Sequence, residues 1–211
     1  MADGDVTREE IHHRRIDMRG FRRSDGLYEV EGRVTDRKPF DFRPGGDGET
    51  VPAEQAIHDM GVRLVFDEGL VIHDVSTFMD STPYPGCLGG GLALRSLTGL
   101  RIGGGWSKEV KTRLGGAASC THLMELLIPM ATAAIQSLSP AWHARPDRLD
   151  ASGRPVKIDS CYAYGAGSEV VKRRWPGFYR AGARDETVLP REGDDRDPLT
   201  GVMPRRGEGK R

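Results

Sequence analysis

The sequence has no excess of charge of either sign and few cysteines. Lys plus Arg and Asp plus Glu both number 31 among 211 residues, so the chain has no overall field that would attract nucleic acid or an anionic membrane. Cys87, Cys120 and Cys161 are odd in number and widely spaced, which is a poor disulfide framework for a chain long enough to bury a core. We therefore expect reduced thiols and no nucleic-acid partner.

Long hydrophobic runs are also absent from the sequence. The most apolar stretch, residues 123–138, is interrupted by Glu125, Pro129 and Gln136 and is shorter than the roughly 20 residues that a membrane span requires. The first ten residues are polar and lack the apolar centre of a secretory signal. The sequence thus predicts a protein that does not cross a membrane and stays in the cytoplasm.

Both ends of the sequence contain few large apolar side chains. Residues 1–10 and 180–211 are rich in Asp, Glu, Arg, Gly and Pro, so burial cannot offset the entropy that ordering these segments would cost. The expectation is a disordered N-terminus, a single domain over residues 11–179 and a disordered C-terminal tail.

Alternation of apolar and polar residues predicts two β-hairpins in the first half of that domain. Residues 28–34 alternate in this way after the turn signal Ser24-Asp25-Gly26, and residues 60–66 alternate before a second turn signal, Asp67-Glu68-Gly69. Period-two alternation next to a Gly-containing turn is typical of a strand with one buried face.

The apolar period becomes helical in the second half. Leucines between residues 92 and 100 predict a short helix, residues 107–114 a second, and residues 123–138 a third with apolar side chains at steps of three and four. Farther along, we expect a strand over 156–164 and a short helix or turn over 168–175. The predicted fold class is α+β, with an antiparallel or mixed sheet of hairpins packed against three helices.

A candidate reactive site begins at Cys120, just before the third helix. Free N–H groups and the positive end of the helix dipole stabilise a thiolate at that position, and Ser119 or Thr121 is expected to cap the helix. His122 and Glu125 are three residues apart and share a helix face, so either could transfer a proton at the same centre. In the alternative interpretation Cys120 is a small core residue, and His122 and Glu125 are surface groups.

Other segments add candidate ligands and cations. Cys87 follows a Pro-Tyr-Pro-Gly turn where the first helix begins, and His58 and Asp59 open the first strand of the second hairpin, where functional residues commonly lie. His58 could equally be an ordinary strand-edge histidine. Arg22 and Arg23 could bind a carboxylate or phosphate, or could belong to a solvated edge strand.

These motifs resemble those of an uncharacterised bacterial family, domain of unknown function 2889. The resemblance spans about residues 12–179 and carries no activity with it. It depends on the segments His12 to Arg15, Phe21 to Gly26, Glu31 to Arg33, His58 to Met60, Pro83 to Cys87, Gly99 to Gly103, Gly105-Trp106, Cys120 to Leu123 and Asp159 to Cys161.

A more distant resemblance is to the iron-sulfur scaffold fold of the SufE/NifU type. It implies hairpin strands packed on helices and three segments that bring ligands to one metal. By position, His58 or Asp59 corresponds to the first ligand, Cys87 to the second and Cys120 to the third. Because the first position is not a cysteine, this mixed set suits mononuclear zinc or iron better than a cluster.

Two hypotheses follow for the function. The first is a small zinc- or iron-dependent lyase or hydrolase that acts on an acidic organic small molecule, with metal ligands His58, Cys87 and Cys120. In it Asp59, His122 or Glu125 moves a proton, and the two arginines bind the substrate. The second is a non-catalytic protein that binds and delivers a metal or an iron-sulfur cluster. Without a metal, Cys120 at the start of the third helix becomes a lone nucleophile.

Overall fold

A computed structural model of the chain describes residues 6–45 and 48–182. These residues form two compact units, which divide between Ala144 and Arg145 and are described separately here. The single domain expected over residues 11–179 stays a prediction.

The two predicted tails lie largely outside the described residues. Residues 6–10 are exposed and irregular, and most of the C-terminal tail, residues 183–211, is outside the described part. Within that part, no helix is long and apolar enough to cross a membrane.

An antiparallel sheet of four strands, in the order β1-β2-β3-β4, is the framework of the first unit. The strands are β1 (His13–Arg22), β2 (Tyr28–Arg37), β3 (Ala56–Phe66) and β4 (Ile72–Ser81). Each strand pairs with the next along the chain, and the turn signals at residues 24–26 and 67–69 connect paired strands. Both predicted hairpins are therefore confirmed.

The two faces of the sheet differ in chemistry because successive side chains of a strand point in opposite directions. The even-numbered side chains of β2 and β3 form the buried face, with Val30, Val34, Met60, Val62, Leu64 and Phe66 at most 2% exposed. The odd-numbered side chains of the opposite face include ion pairs such as Arg33 with Asp59 and Arg63 with Glu31. Register therefore determines which residues can reach a site on the helix side.

Helical segments cover the buried face of the sheet. They are a 3₁₀ segment (Pro85–Leu97), helix α1 (Trp106–Leu114) and helix α2 (Thr121–His143). The indole N–H of Trp106 donates a buried 2.8 Å hydrogen bond to the carbonyl of Leu127, which fixes α1 against α2. The α+β class with hairpins packed on helices is confirmed, whereas the resemblance to the SufE/NifU fold is not.

The second unit has its own small core of Ile158, Ala166, Val171 and Trp175. Helix α3 (Glu169–Arg174) begins after Ser168, whose hydroxyl accepts the N–H of Val171, as expected of a cap. The strand predicted for residues 156–164 is wrong, because the chain there forms turns and Asp159 has a φ of +66°, which interrupts extended backbone. Cys161 lies exposed in this segment.

Candidate functional site

The candidate site forms where one end of the sheet meets the start of α2. Asp36 of β2 pairs in register with Arg14 of β1 on one side and His58 of β3 on the other. Asp36 and His58 are even-numbered, so their side chains lie on the helix side of the sheet. His122, in the first turn of α2, lies against them.

A buried carboxylate, that of Asp36, is the centre of this cluster. Its side chain is 2% exposed and accepts a bidentate pair of hydrogen bonds from Arg14, Nε to Oδ1 at 2.8 Å and Nη2 to Oδ2 at 2.9 Å. Nδ1 of His58 lies 3.0 Å from Oδ2 and Nε2 of His12 lies 3.2 Å from Oδ1. Burial raises the pKa of Asp36, but the Arg14 hydrogen bond and charge and the nearby histidines outweigh it, so the pKa is lowered.

Two imidazole rings meet above this carboxylate. The ring centroids of His58 and His122 are 3.9 Å apart with the planes tilted by 35°, and Nε2 of His122 lies 3.9 Å from Oδ2 of Asp36. Burial, together with the charge of His122, lowers the pKa of His58. The hydrogen bond with Cys120 raises the pKa of His122, so His122 is the ring of the pair that holds a proton more readily.

The thiol of Cys120 completes the cluster. Its Sγ lies 4.0 Å from Nδ1 of His122 and 3.8 Å from Sδ of Met60. Burial raises the pKa of Cys120, but hydrogen bonds from the His122 ring and from the backbone N–H groups of Leu123 and His122 outweigh burial, so the pKa is lowered. The positive end of a helix favours a thiolate in the same way.

The local backbone explains how this thiol is positioned. Cys120 itself is the N-cap residue of α2, and its N–H donates to the carbonyl of Gly90 at 3.3 Å. The expected cap by Ser119 or Thr121 is wrong, since no side chain caps the helix and the Ser119 hydroxyl donates instead to the carbonyl of Leu114. A side chain at Gly90 would place its Cβ 2.8 Å from the Cys120 nitrogen, so this contact requires glycine.

A cleft of about 570 Å³ exposes the thiol and both imidazoles to solvent, a size within the range of small-molecule sites. Its walls come from His58 of β3, the turn that follows β4, the 3₁₀ segment, the loop before α2 and the first turn of α2. The lining residues are His58, Pro83, Tyr84, Gly86, Cys87, Gly89, Gly90, Ala117, Ala118, Ser119, Cys120, Thr121 and His122. None of these lining residues is Asp, Glu, Lys or Arg.

Four of the residues predicted from sequence are thus brought together, because His58, Cys87, Cys120 and His122 all line the cleft. Asp59 is not among them. As the strand neighbour of His58 it points to the opposite face of the sheet, where its carboxylate accepts a 2.6 Å bond from Arg33.

The remaining predicted residues also lie outside the cleft. Glu125 is exposed and reaches the cluster only through Arg14, at 3.4 Å. Arg22 and Arg23 lie at the other end of β1, and eight residues of extended strand separate Arg22 from Arg14, a distance of about 26 Å. Arg23 is paired with Asp25 and Glu29 at that end.

Sequence reasoning did not identify Asp36 as a site residue. The available signal was its position, since it continues the even-numbered alternation of Val30 and Val34 and therefore places a carboxylate on the buried face. A charged group on that face needs a partner, and Arg14, in the segment His12 to Arg15, is that partner.

The cluster also has the donor atoms of a metal site. Asp36, His58 and His122 each offer a ligand atom, and these atoms lie within 4.8 Å of one another. Two histidines and one carboxylate are typical ligands of non-haem iron and occur at zinc. However, both Asp36 oxygens already accept hydrogen bonds from Arg14, so a cation would have to compete with the guanidinium for the only carboxylate of the set. The roles predicted for Cys87 and Cys120 as metal ligands stay predictions.

Comparison with known proteins adds a family and no activity. The family model described as "Protein of unknown function (DUF2889)" matches residues 12–136, which include every residue that lines the cleft. No curated protein and no solved structure matches the chain.

Proposed function

The chain belongs to the DUF2889 family, and from that premise we propose that it is a small thiol-dependent enzyme of hydrolase type, with Cys120 as nucleophile and His122 as its acid and base. The proposed substrate is a small molecule with an electrophilic acyl carbon. The three cysteines are free thiols, which suits a reducing compartment and supports the cytoplasm as the place of the reaction.

One observation carries this proposal: the His122 ring lies between a thiol and a carboxylate, with one ring nitrogen facing each of them. Nδ1 is 4.0 Å from Sγ of Cys120 and Nε2 is 3.9 Å from Oδ2 of Asp36. Enzymes with an activated nucleophile place a base against the nucleophile and orient the base with a third group. Both distances exceed a short hydrogen bond, as is common before substrate binds.

The steps of the proposed reaction follow from the charges of the Cys120 thiolate and the His122 imidazolium. The Cys120 thiolate attacks the acyl carbon and forms the sulfur–carbon bond, and the leaving group departs with a proton from the His122 imidazolium. His122, now neutral, takes a proton from water as the water attacks the thioester, which releases the acid and restores the thiolate. Asp36 orients the ring and stabilises its charged form, and Arg14 and His58 hold Asp36 in place.

The test uses p-nitrophenyl acetate, which reports acyl transfer by colour. We expect an initial burst of p-nitrophenolate close to one equivalent per chain and an acetyl group on Cys120 in the peptide mass spectrum. Cys120→Ser should abolish the burst, whereas Cys161→Ser, which removes an exposed thiol of the second unit, should retain it. A burst that persists without Cys120, or acetylation confined to Cys87, would contradict the proposal.

A second candidate function is favoured by the Asp36, His58 and His122 donor set. In it these residues hold zinc or iron, and the protein is a metal-dependent lyase or hydrolase or a carrier that delivers metal. A bound zinc or iron would supply Lewis-acid activation of a substrate or water. The acidic substrate expected from the sequence stays untested, but Arg22 and Arg23, on which it depended, do not line the cleft.

Metal analysis of the purified protein separates the two candidates. The second candidate requires stoichiometric zinc or iron that is lost in His58→Ala and retained in Asp59→Ala, which alters the opposite face of the sheet. The thiol-dependent enzyme requires acylation by p-nitrophenyl acetate that survives treatment with a chelator. Loss of the burst on chelation and its return with zinc or iron would favour the metal enzyme.

A further inference from the structure

We infer that the acyl group accepted by Cys120 is uncharged and apolar, and that it lies along the 3₁₀ segment between Tyr84 and Leu92. This inference rests on the proposed function and assigns the substrate class of the same site. Three features support it: cleft walls that contain no Asp, Glu, Lys or Arg, exposed apolar side chains in a segment that lines the cleft, and paired charges behind the lining histidines.

The walls of the cleft offer little to a charged substrate. Pro83, Tyr84, Ala117 and Ala118 contribute apolar surface and the glycines contribute backbone, while the polar lining groups cluster near the thiol. A substrate carboxylate in this cleft would lose water without gaining a guanidinium or ammonium partner from its walls. An apolar chain has no charged group, so its burial in the cleft carries no such desolvation cost.

Exposed apolar side chains continue from the walls along the same segment. Tyr84 is 53% exposed, Leu88 61% and Leu92 68%, and Tyr84 to Gly90 supply five of the lining residues. Leu88 and Leu92 do not line the cleft itself but belong to the segment that does, and exposed large apolar side chains next to a cleft segment are typical of binding sites. Gly86 and Gly89, where an added Cβ would meet nothing within 4 Å, leave open space in the same segment.

The carboxylate that contacts the two lining histidines, that of Asp36, is already paired with a cation. Arg14 binds both Asp36 and Glu125, so its guanidinium already has two carboxylate partners. Selection of the substrate therefore depends on apolar contact, and the polar cluster around Cys120 takes part only in the reaction.

The test compares p-nitrophenyl acetate with p-nitrophenyl hexanoate, which adds four methylenes, and with the monoester of succinate, which ends in a carboxylate. Rates of Cys120 acylation are divided by the rates of the same esters with glutathione, to remove intrinsic reactivity. We expect hexanoate to exceed acetate by about tenfold or more, since four methylenes at even half of full burial give that factor. The succinate ester should fall below acetate.

Surface variants locate the contact. The double change Leu88→Ser and Leu92→Ser should reduce the preference for hexanoate over acetate to about twofold or less. The matched control, Leu149→Ser, alters an equally exposed leucine of the second unit and should keep the full preference. Both changes affect exposed side chains, and circular dichroism melts verify that the variants fold.

The outcomes distinguish the inference from the proposed function. If acetate acylates Cys120 but hexanoate is no faster, or the succinate ester is preferred, the apolar substrate is overturned and the thiol-dependent enzyme stands. If the two serine substitutions leave the preference intact, the assignment to the segment between Tyr84 and Leu92 is overturned. If neither ester acylates Cys120, the proposed function fails and the inference fails with it.

Discussion

Arg14 and Asp36 are direct partners across β1 and β2 and form a two-bond pair, in which the carboxylate is 2% exposed and the guanidinium side chain 36% exposed. The pair joins the edge strand β1 to β2 beside the cluster. It places one negative charge next to the imidazoles of His58 and His122. The fold and the proposed reaction therefore involve the same carboxylate.

Replacing Asp36 by Asn should destabilise the fold. The change keeps the size of the side chain but leaves the Arg14 charge without its anion and an amide N–H₂ against a donor, at a cost of about 2–3 kcal/mol. Asp59→Asn, on the opposite face and paired with the more exposed Arg33, should cost about 1 kcal/mol or less. Urea unfolding of both variants measures the difference, and equal losses would contradict a buried role for Asp36.

The same carboxylate should make stability depend on acid. Because the pKa of Asp36 is lower in the folded chain than its ordinary value of 3.8, its contribution is fully present above about pH 4 and is lost as the pH falls through the lower, folded pKa. Urea midpoints of the wild type and Asp36→Asn, measured from pH 7 to pH 2, should converge only in the acid range. A constant gap across that range would show that ionisation of Asp36 is not involved.

His122→Gln should shift the reactivity of Cys120 toward alkaline pH. The wild-type thiol has a lowered pKa because the His122 hydrogen bond and the backbone N–H groups of Leu123 and His122 outweigh burial. Glutamine removes the positive charge but can still donate a hydrogen bond. The pH profile of iodoacetamide labelling at Cys120, followed by peptide mass spectrometry, should therefore move upward in His122→Gln.

Thr121→Ala is the matched control for that experiment. It alters the exposed neighbour of both groups and should leave the labelling profile in place. An unchanged profile in His122→Gln would show that the helix N-terminus alone lowers the pKa of Cys120.

Gly90→Ala should disturb the thiol, whereas Gly89→Ala should not. A Cβ at Gly90 would lie 2.8 Å from the Cys120 nitrogen and 2.9 Å from its Cβ, while a Cβ at Gly89 meets nothing within 4 Å. We expect Gly90→Ala to cost about 1–3 kcal/mol through overpacking and to slow iodoacetamide labelling of Cys120 with a changed pH profile. Gly89→Ala should be neutral or slightly stabilising. Equal labelling profiles in the two variants would remove Gly90 as a positioning residue.

Local patterns predicted much of the fold. Period-two alternation and the Gly-containing turns at 24–26 and 67–69 identified both hairpins, and the three- and four-residue apolar steps identified α2. The short helix predicted from the leucines between residues 92 and 100 overlaps a 3₁₀ segment that begins earlier, Pro85–Leu97, because consecutive glycines favour neither regular α-helix nor side-chain packing. The strand predicted near Asp159 did not form, and the described residues of the second unit contain no other strand with which it could pair.

The site was harder to predict because it depends on register and on long-range contacts. His58, Cys87, Cys120 and His122 were recognisable by residue type and by position at element ends, and all line the cleft. Asp59 was chosen beside His58, although neighbours on a strand cannot share a face. Asp36 became recognisable only when β2 was known to pair with Arg14 on one side and His58 on the other.

The sulfur contact between Cys120 and Met60 joins residues that are 60 positions apart in the chain. Closing such a long loop is slow relative to forming a local hairpin. During refolding, the hairpins can therefore form before the thiol acquires its partners, and Cys120 has its native reactivity only once α2 has docked. Pulsed thiol labelling thus times that docking event, separately from the appearance of β-structure.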